Sequence, residues 1–320
     1  MNIHIEKGEK GMSKKTAMFL VALTSAFWGL SFTASNLLLK TMDPIMILEV
    51  RWTIASVIFA GMIAAGKLRI SFQKKSVKYF LLAAFLEPCL YSIFETYGLS
   101  LTSPSVSSIF IATIPCMSMI QGVLFFHGKA ELKRIAAIVL AFLGVAASTV
   151  LAPGFQLGGR ASGYLLMIGA VFTGGLYSHA SSAASRDYEP ASITAMMAFE
   201  GMVWFHLIGF LKGDGLQAWK IAFRTPRNAG AVLFLGICCS AVCYLAYNKL
   251  LAYLEPSAVN NLSGSTTTIV GVAAGIVLAG DSWGLYTIAG LGLTLAGVWL
   301  TSRELGTAEK ELPCRECLKE

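Results

Sequence analysis

The segment Tyr97–Thr149, YGLSLTSPSVSSIFIATIPCMSMIQGVLFFHGKAELKRIAAIVLAFLGVAAST, returns in altered form at Lys249–Thr301 as KLLAYLEPSAVNNLSGSTTTIVGVAAGIVLAGDSWGLYTIAGLGLTLAGVWLT. Leu99 falls on Leu251, Pro104 on Pro256 and Ser105 on Ser257 at a spacing of 152 residues. After a one-residue adjustment, Gly122 falls on Gly275, Ile135 on Ile288, Leu140 on Leu293, Gly144 on Gly297 and Val145 on Val298. This period is too long for a stacked solenoid repeat. It describes two related half-proteins, and in a membrane chain such halves enclose a central site.

The composition makes the membrane reading firm. Of 320 residues, 55% are hydrophobic and only 13% charged, with a mean hydropathy of +0.66, against about one quarter charged in an ordinary soluble domain. A helix crossing ~30 Å of hydrocarbon needs about 20 mostly apolar residues, because lipid offers the backbone no hydrogen bonds. Ten runs meet that test, at about 16–39, 44–66, 77–99, 104–127, 132–152, 162–184, 191–211, 229–253, 257–280 and 284–302. The expected fold is therefore all-α, a polytopic membrane protein of ten transmembrane helices arranged as two inverted five-helix repeats, at 16–152 and 162–303. Segments 1–15 and 304–320 flank them. The first apolar run is too long for a signal peptide and reads as an uncleaved helix.

Lys and Arg set the orientation. With the N-terminus inside, seventeen fall on the cytoplasmic side, six outside (Lys40, Arg160, Lys212, Lys220, Arg224, Arg227), and Arg51 and Lys249 lie within spans. Both termini are thus expected in the cytoplasm of a plasma-membrane protein. Four of the six outer charges crowd 212–227, which also holds the amphipathic LQAWKIAF, a candidate interfacial segment. With five spans per half, the second half must enter the membrane upside down relative to the first. The openings of the halves echo each other as well: FWGLSFTASN around Trp28 against TGGLYSHASS, and Asp43-Pro44 against Glu189-Pro190.

A Trp-Gly-aromatic first helix, Arg51 in LEVRWTIAS, a TSPS-start fourth helix with Pro115 inside, and a Gly-acid turn at Gly280-Asp281 are similar to the EamA-type family of the drug/metabolite transporter superfamily. The resemblance spans roughly residues 16–303. It implies a ten-helix inverted-repeat carrier for small metabolites, often an exporter of amino-acid-like compounds. Two departures stand out: His127-Gly128 replaces the Gly-Glu pair usual after the fourth helix, and the ninth helix carries Thr267 and Thr268 where a proline would match.

Ionisable groups within a bilayer cost about 2.5 to 3.5 kcal/mol each on insertion scales, so they face a wet cavity or a partner. Glu87 and Glu200 sit near the middle of their spans, about 15 Å from the nearer end, too deep to snorkel. Burial disfavours a charged carboxylate, and a carboxyl that exchanges protons is what a proton-coupled carrier needs. The alternative is a protonated acid bonded to a neighbouring helix. Glu87, Tyr91 and Glu95 recur at four-residue spacing and form one polar helix face. Arg51 and Glu95 both lie in the outer thirds of their spans and are expected to form a structural ion pair, while Glu49 lies nearer the outer surface, where solvation is expected. Lys249 either snorkels to the cytoplasmic interface or, with Asn248 and Tyr244, meets an anionic group from the cavity. His179 reads as a proton relay or an interhelical hydrogen-bonding residue. Ser and Thr runs in the fourth and ninth spans, the latter with Asn260 and Thr267, mark a polar face in each half. Trp28 and Tyr91 are candidate aromatic walls, with Trp28 equally readable as core. Gly271 and Gly275 read as close helix packing.

Other classes fit poorly. The net charge of +7 sits at the ends of apolar runs rather than in a basic patch with exposed aromatics, so no nucleic-acid surface is indicated. Gly122–Lys129 has the wrong spacing for a phosphate loop and lacks the Ser or Thr that should follow. Five of seven cysteines lie in apolar runs, and Cys314 and Cys317 form a lone pair without further ligands, so neither a metal nor a cofactor is expected. An integral-membrane enzyme would need histidines or acids clustered at one face, whereas His4, His127, His179 and His206 are scattered. A scaffold or sensor would need a sizeable domain outside the membrane. The expected function is secondary, non-ATP transport of a small polar or amphipathic metabolite, amino-acid-like or drug-like, outward by alternating access, with lipid as solvent and protons as a candidate coupling ion. The sequence is equally compatible with a monomer and a homodimer. Impermeant thiol reagents should label native Cys314 and a Ser13→Cys variant only after the membrane is permeabilised; labelling of either in intact cells would overturn the orientation.

Overall fold

A computed structural model of the chain describes residues 12–70, 75–126, 132–152, 161–214, 216–254 and 256–308, with side chains except at 126, 132–134, 257 and 301–308. His4, His127, Cys314 and Cys317 lie outside the described residues or side chains. The first set of apolar helices is α1 (Lys14–Leu39), α2 (Pro44–Ala64), α3 (Val77–Leu101), α4 (Pro104–Ile111 and Ile114–Phe126) and α5 (Leu132–Val150). The second is α6 (Ala161–Ala184), α7 (Pro190–Lys212), α8 (Pro226–Tyr253), α9 (Pro256–Ala274, continuing through Gly275–Ala279) and α10 (Leu285–Ala308). Eight are long and apolar enough to cross a membrane; α5 and α10 carry shorter apolar stretches, Ile135–Val150 and Leu285–Leu300. The chain is an all-helical polytopic membrane protein, with no strand among the described residues.

Local chemistry fixes the helix starts. Proline at the first helical position gives up an N–H that would have no intrahelical partner and presets φ, and α2, α4, α7, α8 and α9 all begin with one. The residue before it commonly caps: Asp43 accepts from the Ile45 N–H at 2.9 Å, Ser103 from Val106 at 3.4 Å, and Thr225 from Asn228 at 3.2 Å. Inside helices the same residue disrupts, because proline removes an i−4 hydrogen bond. Pro115 accounts for the break between the two parts of α4 at Ala112 and Thr113, and Pro88 sits in a π-helical stretch of α3, Phe85–Tyr91. A second π-helical stretch, Phe234–Cys243, occupies the matching part of α8 without any proline.

Neighbour relations repeat between the two sets. α1 packs on α9 as α6 packs on α4; α8 packs on α1 as α3 packs on α6; α2 meets α7, and α5 meets α10. Exchanging the first five helices for the second five leaves these pairings unchanged. Small residues permit the closest approaches. A Cβ on Gly271 or Gly275 would run into Ser108 or Ser105 of α4, the close packing expected of that GxxxG pair. Between α5 and α10, Gly144 lies against Gly290 and Thr294, and Gly297 against Ala137 and Ala141. The Thr294 hydroxyl also donates across that seam to the Ala141 carbonyl at 3.3 Å.

Large apolar side chains face outward, including Phe210, Val277 and Leu285. Many serines and threonines face inward, most bonded to a carbonyl of their own helix, as Thr24, Thr149 and Thr173 are. That distribution suits lipid outside and protein inside. The segment after α7 forms a short helix, Gln217–Ala222, whose Ala218 and Ala222 are buried with Met46, Ile47 and Val50 of α2, while the Trp219 and Phe223 rings stack at 6.0 Å. Gly144→Ala should wedge α5 from α10 and cost about 1–3 kcal/mol, seen as a lowered unfolding temperature in detergent. Gly292→Ala, where a Cβ meets open space, should leave that temperature unchanged or slightly raised.

Candidate functional site

Between the two helix sets lies a cavity of about 70 Å³, room for several waters. α1, α2, α3 and α4 from the first set and α6, α8 and α9 from the second all contribute to its lining. The helix periodicity of each explains which residues reach it. Glu87, Tyr91 and Glu95 descend one face of α3, and Asn260, Ser263, Gly264 and Thr267 follow i, i+3, i+4, i+7 on α9.

The walls are aromatic. Trp28 of α1 packs against Tyr244 and Tyr247 of α8, ring centroids 5.1 Å apart in each case. Tyr177 of α6 stacks on Tyr247 at 6.1 Å and meets Tyr244 edge-on at 6.2 Å. Charge enters from the first set. Glu87 is buried and accepts a hydrogen bond from the Tyr244 hydroxyl, Glu95 is half-buried on the same face, and Arg51 is buried on α2. Arg51 Nε donates to Ser240 Oγ at 2.6 Å, and its guanidinium lies 5.7 Å from the Trp52 ring centroid. The expected Arg51–Glu95 ion pair is not closed in this conformation: both line the cavity, and the side-chain hydrogen bond of Arg51 goes to Ser240. The Thr267 hydroxyl, buried in the α9 wall, has no hydrogen-bond partner among the described residues.

Trp28, Arg51, Glu87, Tyr91, Glu95, Asn260 and Thr267 are thus brought together, and four other candidates are not. Asn248 is buried just behind the wall, where its carbonyl oxygen accepts from Tyr177 at 2.7 Å and Ser181 at 2.6 Å and its amide donates to Thr194 at 2.9 Å. It ties α6, α7 and α8 together. Lys249, one residue on, is exposed and away from the cavity. His179 meets Ser118 of α4 at 3.0 Å, between helices rather than in the cavity. Glu200 is half-buried on α7 outside the cavity, because its neighbour Gly201 is the residue that packs against Trp52 and Pro88.

Two residues behave differently from their sequence reading. Glu49, expected in solvent, is only 3% exposed: Gly209 of α7 leaves room for its carboxylate, and His206 approaches it at 3.5 Å. Nearby, Lys212 pairs with Asp43 at 2.8 Å. Asp281 of the Gly-acid turn accepts from the Ser105 N–H at 2.8 Å, so an acid after α9 caps α4 of the other helix set. Tyr247 and Ser240 were missed as wall and anchoring residues, and Tyr244 was read only as a companion of Lys249 and Asn248. The signal available was the i, i+3 spacing of two tyrosines on a span that also carries Asn248.

Residues 15–150 and 161–303 each match the EamA-like transporter family. An uncharacterized transporter of Archaeoglobus fulgidus is 28% identical over 285 residues, covering 89% of this chain and 98% of its own. The uncharacterized transporter YcxC of Bacillus subtilis is 27% identical over 292 residues, covering 89% of this chain and 92% of its own. A crystal structure at 14% identity superposes with a TM-score of 0.65 over 93% of this chain and 100% of that one, a likeness of fold alone. Two consecutive family matches, in a helical chain that holds a polar cavity inside an apolar shell, lead to one conclusion: the chain belongs to the EamA-like transporter family and is a multi-pass membrane transporter.

Proposed function

We propose that this transporter is a secondary carrier that exports a small metabolite bearing a protonated amine, amino-acid-like in its fullest form, by alternating access between two inverted five-helix halves, 16–152 and 162–303. The observation that carries the reading is the cavity itself: two carboxyl groups, Glu87 and Glu95, and one guanidinium, Arg51, set among Trp28 and four tyrosines at the junction of the two helix sets. Carboxyl oxygens and aromatic faces attract an ammonium group. Arg51 spends only Nε on Ser240, and a guanidinium has five N–H donors, so its other nitrogens can take a carboxylate in fork geometry. Arg51 and Glu95 then pair through the cargo rather than with each other. Thr267 supplies a further hydroxyl.

The coupling ion is a proton, with Glu87 as the group that exchanges it. The paired neighbour relations of the two helix sets support a rocking motion about the junction, and the excess of Lys and Arg on one side supports cytoplasmic ends in a plasma membrane. Glu200, His179 and Lys249 lie off the cavity and have no part in cargo contact.

Three probes that share an isobutyl group separate the charges: L-leucine, isoamylamine and isovalerate. Proteoliposomes should take up the first two and not the third; uptake of isovalerate alone would overturn the assignment. Glu87→Gln should abolish the component of uptake driven by a pH gradient while the protein keeps its unfolding temperature, and unchanged pH dependence would refute the proton role. Arg51→Gln should raise KM for L-leucine about tenfold, the loss of one charge-assisted pair, and leave isoamylamine within a factor of about two.

A further inference from the structure

Three contacts from the first helix set end on one short stretch of α8. Trp28 Nε1 donates to the Cys239 carbonyl at 3.2 Å, Arg51 Nε donates to Ser240 Oγ at 2.6 Å, and the Tyr244 hydroxyl donates to a carboxyl oxygen of Glu87. Cys239 and Ser240 belong to the π-helical stretch Phe234–Cys243, and Tyr244 is the residue at which α-helical winding resumes. π-Helical turns contain an inserted residue and are held by longer i→i+5 bonds, so they are places where a helix can change register at small cost.

The three fasteners differ in how they respond to an occupant. Trp28 binds a backbone carbonyl through its ring nitrogen while its side chain lines the cavity, so a ligand can contact it without breaking the bond. Arg51 keeps its terminal nitrogens while Nε stays on Ser240. The Tyr244 hydroxyl alone occupies an acceptor that cargo needs. An ammonium donor makes a charge-assisted bond about twice as strong as that of a neutral hydroxyl, and the Trp28 and Tyr247 faces beside it favour a cation further.

We propose that Tyr244 is an internal stand-in for the cargo: its hydroxyl holds the Glu87 oxygen that a substrate ammonium takes on binding, and the exchange unfastens the π-helical stretch of α8 so that the two helix sets can move. This rests on the reading of the cavity as an amine site. Tyr244 is then a positioning residue that turns occupancy into motion, and its loss has opposite effects on affinity and on turnover. A purely structural tyrosine would lower both.

The test uses purified full-length carrier and isoamylamine. Tyr244→Phe keeps the ring that packs against Trp28, Trp52 and Tyr177. It should bind isoamylamine at least about threefold tighter by calorimetry, because the competing donor is gone, and turn over at least about threefold slower in proteoliposomes at saturating substrate. In a Glu87→Gln background the same change should leave affinity unaltered, the signature of a shared interaction. Hydrogen exchange of wild-type protein provides a readout independent of any variant: isoamylamine should speed exchange across 234–247. Unchanged or weaker affinity in Tyr244→Phe, or unchanged exchange in the wild type, overturns the role of Tyr244 while leaving the amine site standing. Wild-type carrier that is folded yet binds neither isoamylamine nor L-leucine overturns the amine site and this inference with it.

Discussion

Charged and polar groups held inside a bundle that lipid surrounds must find their partners within the chain, and that constraint organises the interior of this transporter. An ionisable side chain within a bilayer costs a few kcal/mol even with relaxation. Here Arg51 and Glu87 are both buried, and each is held by α8, through Ser240 and Tyr244. The partners come from the opposite helix set. The polar interior is therefore also the junction of the two sets, and whatever alters the occupancy of these groups acts on the junction directly.

Around that centre the structure keeps rigid and yielding contacts apart. The α5–α10 seam is built largely of small residues, glycine, alanine, Ser148 and Thr294, with backbones close enough that a single Cβ would collide. The Asn248 node behind the cavity satisfies its amide with Tyr177, Ser181 and Thr194, three hydrogen bonds from two helices. Satisfied buried networks of this kind stiffen what they join. On the cavity side, by contrast, Thr267 carries a buried hydroxyl with no hydrogen-bond partner among the described residues, and Arg51 has donors to spare. Part of the unspent hydrogen-bonding capacity thus lies where cargo would sit.

Much of this was legible in the sequence because it depends on local periodicity. Helix starts are set by proline and its preceding cap, and each observed start lies within three residues of the expected one. Glu87, Tyr91 and Glu95 share a face by four-residue spacing, and Asn260 and Thr267 share one by seven. What escaped is what one helix learns only from another. Glu49 is buried because Gly209, 160 residues later, lacks a side chain. Arg51 Nε donates to Ser240 of α8, a partner 189 residues away in the chain. Lys249 and Glu200 fail by a single step of about 100° around their helices: their neighbours Asn248 and Gly201 are the ones that face inward.

Two of the three π-helical stretches among the described residues, those in α3 and α8, show how far shape outweighs local cause; the third, Gly275–Ala279, ends α9. In α3 the stretch Phe85–Tyr91 contains Pro88, whose missing N–H alone would disturb α-helical winding. In α8 the stretch Phe234–Cys243 contains no proline, yet shifting the first stretch by the 152-residue spacing of the repeat places it inside the second. A helix that adopts this winding without a proline of its own relies on its neighbours: Trp28 and Arg51 donate to Cys239 and Ser240 within the stretch, the Cys239 thiol reaches the Phe27 carbonyl, and Glu87 is bonded by Tyr244 just beyond it. Proline accompanies the π-helical winding in one half and cavity residues contact it in the other, and a winding held by contacts can be released when those contacts change.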